Sequence, residues 1–104
     1  MRVFISQPMV DLSKEQIIKN REDVVAYFSQ KGHKVINSIF DYEDIENVNN
    51  KPLYYLSKSI ELISKEADLV YFMDGWNRAR GCIMENMACA VYNVPVSYGV
   101  DLSE

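Results

Sequence analysis

The sequence predicts an α/β domain, a three-layer α/β/α sandwich around a mostly parallel sheet of four or five strands. Short apolar runs at Arg2–Ser6, Lys34–Asn37, Leu69–Met73 and Val94–Tyr98 read as strands, and helical spacing of apolar residues fills the segments between them. The resulting order, βαβαβαβ, calls for parallel pairing through right-handed crossovers. The stretch Ala67 to Cys89, ADLVYFMDGWNRARGCIMENMAC, then runs strand, loop, helix. That order places its loop at the carboxyl end of the sheet, where open Rossmann-like or flavodoxin-like sheets bind their ligands.

A length of 104 residues suits one domain over 1–104. The 48% hydrophobic and 25% charged composition fits a globular chain with a modest core. So small a domain buries a limited share of its surface, and twelve aromatic residues are many for the size, so self-association is expected. The net charge of -4 argues against binding nucleic-acid polymers or an anionic membrane surface. No basic run, signal peptide or long apolar segment is seen, and Cys82 and Cys89 share one helix. The expectation is a cytoplasmic protein with two free thiols.

The first strand ends at Gln7-Pro8, since proline stops strand and helix alike. Ser13, with Gln16 three residues on, reads as a capping box that opens a helix. Ile17, Ile18, Val24, Val25, Tyr27 and Phe28 carry its apolar face to a C-cap at Gly32. Ser38 to Lys51 is an irregular, acidic loop, and loops that long are often functional. Pro52 begins a second helix with a stripe of Leu53, Leu56, Ile60 and Ile63 to about Glu66. Helix three restarts at Gly81, with Met84, Met87, Ala88 and Val91 expected to face inward. A fifth strand is missing or very short.

Glu85 is the first candidate for chemistry. It lies in the second turn of its helix, with its side chain directed back toward the helix start. The partial positive charge there favours an ionised carboxylate, suited to a nucleophile or an electrostatic stabiliser. The plainer alternative is a solvated glutamate that only complements the dipole. Arg78, Arg80 and the amides of Gly81 and Cys82 make an anion cradle, and Trp76 offers a face for a base or sugar. Equally, Trp76 plugs the sheet end and the arginines pair with the acids of the 41–46 loop.

Ser6, Gln7 and Pro8 end the first strand at the same edge, and Asp41 follows the second strand there. Asp74 is an acid or a turn former. Asp68, at the opposite edge, reads as ending the helix before it, and His33 falls in a turn on that edge too. No dinucleotide fingerprint or phosphate-loop lysine motif occurs, and one histidine supports neither a zinc site nor a Ser-His-Asp arrangement. No cofactor or metal is expected.

The opening FISQP, the AD-then-apolar strand and the Gly81-to-Glu85 spacing, with Ala88, Ala90 and VPV after it, resemble the nucleoside deoxyribosyltransferase-like superfamily. The similarity runs over nearly the whole chain. It is nearest to small phage- and prophage-borne members of unassigned function, through the VNNKPLYYLSKS and GWxxxRGCxxE types of sequence. The resemblance implies that Glu85 attacks the anomeric carbon of a 2-deoxyribonucleoside or its 5′-monophosphate. The glycosyl group would then pass to another base or to water. It also implies a homo-oligomer in which a neighbour completes the site.

Three positions depart from that pattern. Ala79 stands where the transferases have an aspartate, and Ser59 or Ile60 where they have another. Asp74 is the candidate replacement. Met9-Val10-Asp11 lacks the glycine and arginine of the hydrolase branch, a charge that Arg78 and Arg80 can supply. A nucleotide-binding module without turnover is the alternative function.

Overall fold

The computed structural model describes residues 1–39 and 47–99. In chain order they form β1 (Arg2–Ser6), α1 (Lys14–Gln30), β2 (Lys34–Val35), α2 (Lys51–Glu66), β3 (Leu69–Phe72), a 3₁₀ turn (Trp76–Arg78), α3 (Arg80–Tyr92) and β4 (Val96–Tyr98).

Local chemistry sets the element ends. Ser13 and Gln16 close a capping box: Gln16 N donates to Ser13 Oγ at 3.2 Å and Ser13 N to Gln16 Oε1 at 2.8 Å. Helix α1 stops at Lys31, and Gly32 follows with φ +83°, a conformation that favours glycine. Asn50 caps α2 by accepting from Leu53 N at 3.0 Å, with Pro52 in the first turn where its missing N–H does no harm. Gly75, at φ +89°, turns the chain after β3.

The sheet is all parallel, in the order β2-β1-β3-β4. Val3, Ile5 and Tyr71 pack against Val24 and Phe28 of α1 on one face. Phe4, Val70 and Phe72 pack with Ile63 of α2 and Cys89 of α3 on the other. This is the expected three-layer α/β/α arrangement, with alternate residues of buried strands filling opposite cores. The strand order reverses direction between β1 and β3, and such a switch point opens a crevice at the carboxyl ends of those strands.

Some local expectations need correction. Strand β2 is two residues long instead of four, and β4 begins at Val96 instead of Val94. Pro95 accepts from Val70 N at 3.0 Å but has no N–H of its own to continue the ladder. Among the described residues there is no fifth strand.

The inward face of α3 also differs from the expected one. Met84, Met87 and Val91 are exposed, at 48, 55 and 64%, whereas Cys82, Glu85 and Cys89 are buried. The expectation followed the largest apolar residues. The structure instead turns a stripe spaced i, i+3, i+7, with small thiols at either end, against the sheet.

Asp68 does not end α2 with its side chain. Its Oδ2 accepts from Arg2 N at 2.8 Å and ties β1 to the start of β3, beside the Arg2–Glu66 ion pair. Among the described residues, no helix is long and apolar enough to cross a membrane.

Candidate functional site

Strand β1 delivers Ser6 and Gln7 to the carboxyl edge of the sheet, and both are buried. Ser6 Oγ donates to Glu85 Oε1 at 3.0 Å. Gln7 Nε2 donates to the carbonyl of Ile17 at 2.8 Å, fixing its amide against α1. On the β2 side, Arg21 Nη1 donates to Ser38 Oγ at 3.1 Å, and both residues are buried. A cleft of about 640 Å³ opens between these groups. Ser6, Gln7, Ser38 and Glu85 line it, with Ala79 to Cys82 on the α3 side and Pro52, Tyr55, Leu56 and Ser59 on the α2 side.

Electrostatics differ from the helix-dipole expectation. Glu85 is 6% exposed, and burial raises its pKa to about 7 against the opposing hydrogen bond from Ser6. A carboxylate six residues into the helix lies beyond the first turn, where the dipole acts most strongly. Desolvation therefore wins. The solvated-glutamate alternative does not describe this residue.

Cys82 shares the pocket floor; burial first, and then the charge of Glu85, push its thiol up to about 11. Burial likewise raises Cys89 and lowers Arg21 from their ordinary values. Neither thiol has the electropositive setting that makes a cysteine reactive. Among the described residues no group of three His, Cys, Asp or Glu side chains could hold a metal ion.

The predicted site residues divide. Ser6, Gln7, Pro8, Arg80, Gly81 and Cys82 meet Glu85 in one cleft. Asp74 and Arg78 do not; they line a neighbouring recess together with Gly75, and Asp74 is exposed. Trp76 packs its ring on Phe72 and Tyr98, with centroids 5.4 and 5.5 Å away, and does not line the Glu85 cleft. It is the plug of the sheet end instead of a stacking platform. Asp41 lies outside the described residues. His33 is at the opposite edge, its Nδ1 3.0 Å from the chain's amino terminus.

Sequence reasoning missed Arg21, Ser38 and Tyr55. Arg21 stands one turn after Ile17, on the face of α1 that packs inward, and an arginine there was a legible signal. Helix α3 begins with Ala79 as N-cap, which offers no side-chain acceptor. The first-turn amides therefore keep their capacity for an anion.

A comparison of the chain with protein-family models, with curated proteins and with solved structures gives no match.

Proposed function

We propose that this protein cleaves or transfers the N-glycosidic bond of a 2-deoxyribonucleoside or its 5′-monophosphate, with Glu85 as nucleophile. The observation that carries this reading is a buried carboxylate, oriented by Ser6, on the wall of a cleft at the carboxyl end of β1. In its ionised form Glu85 attacks the anomeric carbon, the bond to the base breaks, and a glycosyl ester forms. Water or a second base then releases the sugar. Arg80 and the uncapped amides around Gly81 and Cys82 are suited to a 5′-phosphate. The resemblance to the deoxyribosyltransferase-like superfamily supports the same assignment. Self-association would cover the exposed apolar stripe Ile83, Met84, Met87 and Val91 of α3.

A second reading, a nucleotide-binding module without turnover, is favoured by one specific observation. Among the described residues, Glu85 is the only carboxylate lining the cleft, so no second acid stands by to protonate a departing base.

Incubation with deoxynucleosides and their monophosphates, with free base read by chromatography, separates the two. Base release that is lost in Glu85→Ala supports the enzyme. Ligand-induced thermal stabilisation without any release supports the module.

A further inference from the structure

We infer that the Arg21–Ser38 pair is a base-recognition and leaving-group subsite, selective for bases that present a lactam oxygen. This rests on the nucleoside reading above and names the substrate class within it.

The argument starts from where the proton of Ser38 goes. A serine hydroxyl has one hydrogen to give and two lone pairs. Arg21 Nη1 already donates to Ser38 Oγ, so the hydroxyl hydrogen is left for another acceptor. Among the described residues none accepts it, and Ser38 lines the cleft. The guanidinium behind it polarises the O–H and makes it a stronger donor.

Arg21 is 5% exposed, and among the described residues no carboxylate pairs with it. For a buried cation with no carboxylate partner among the described residues, negative charge arriving at Ser38 is favourable. Gln7, which lines the same cleft, has a buried Oε1 with no hydrogen-bond partner among the described residues, though its Nε2 is fixed on Ile17. The cleft wall thus carries a charge-backed donor at Ser38 and, at Gln7, a buried acceptor with no partner among the described residues. A lactam edge supplies the complement, a carbonyl oxygen and the adjacent ring N–H.

The same arrangement answers the missing acid. As the C1′–N bond breaks, its electron pair goes to the base while Glu85 bonds to C1′. The base leaves as an anion, its charge is delocalised onto the lactam oxygen held by Ser38, and it takes a proton from water afterwards. Ser38 would touch the leaving group, whereas Arg21 acts through it and is a positioning residue. Adenine and cytosine, which lack a carbonyl beside a ring N–H and leave more readily when protonated, gain less from a cation at that end.

The test uses matched pairs, deoxyinosine against deoxyadenosine monophosphate and deoxyuridine against deoxycytidine monophosphate. Binding is read by calorimetry and base release by chromatography, for the wild-type chain and for Arg21→Gln, Arg21→Lys and Ser38→Ala. The oxo member should bind at least about tenfold tighter, as expected where a buried polar group would otherwise go unpaired. Ser38→Ala and Arg21→Gln should bring the ratio toward one, with Arg21→Lys retaining part of it. A wild-type ratio near one, or one that survives in Ser38→Ala, overturns the inference; Ser38→Ala alone decides if Arg21→Gln does not fold. Base release without an oxo preference leaves the glycosidic reading standing and removes only this one. An oxo preference in binding without release removes the enzymatic reading and keeps the recognition subsite. Failure of every ligand to bind overturns both.

Discussion

Ser6 Oγ and Glu85 Oε1 are 3.0 Å apart across 79 positions of sequence. The bond joins the end of the first strand to the third helix. It is the contact that opposes burial in setting the charge of Glu85.

Removing it makes a first prediction. In Ser6→Ala, burial acts on Glu85 without that opposition, so its pKa should rise further above 7. Carboxyl carbon shifts followed by NMR across a pH series check this. A midpoint that stays put or moves down would show that the hydroxyl does not stabilise the ionised form.

Stability should depend on pH through the same residue. The folded-state pKa of about 7 lies above the ordinary 4.5, so the native state holds the proton more tightly than the unfolded chain. The contribution is fully present below about pH 4.5 and is lost as pH rises through about 7. With each pKa unit worth about 1.4 kcal/mol, the loss is on the order of 3 kcal/mol. Glu85→Gln should flatten that part of the curve and be the more stable protein at pH 8. Urea denaturation of both proteins at pH 5 and pH 8 measures the difference.

Glycosidic activity should run the opposite way. Attack needs ionised Glu85, so base release should rise with pH and level off above about 7, falling about tenfold per unit on the acid side. A profile flat from pH 5 to 8 would point to a different nucleophile.

Trp76 should matter for folding and little for ligand. Its ring sits on Phe72 and Tyr98, outside the Glu85 cleft. Trp76→Ala should lower stability by about 2–3 kcal/mol, toward the low end for a large aromatic because the residue is only half buried. Calorimetric titration should give a nucleotide affinity within about threefold of wild type at a temperature where both are folded, as expected for a residue that makes no contact with the ligand.

Several features were legible because their causes are local. The Ser13–Gln16 box and Pro52 at the opening of α2 act within a few residues and are found where the sequence puts them, whereas the cap of α1 falls at Lys31, one residue before the expected Gly32. The placement of Ser6, Gln7 and Glu85 at one edge followed from element order alone. Trp76 and Asp74 went otherwise because a loop of a few residues can turn either way. Packing on Phe72 and Tyr98 decided it for the indole.

By itself, the sequence determined the order of elements, the capping box of α1 and the parallel pairing, since periodicity, capping and element order are all read along the chain. Only the tertiary structure decided that α3 turns Cys82, Glu85 and Cys89 inward, that Glu85 titrates near neutrality and that Arg21 stands behind Ser38. Those outcomes depend on desolvation and on hydrogen bonds between distant segments. A carboxylate loses its water only when strand, helix and loop close around it, and no local pattern carries that information.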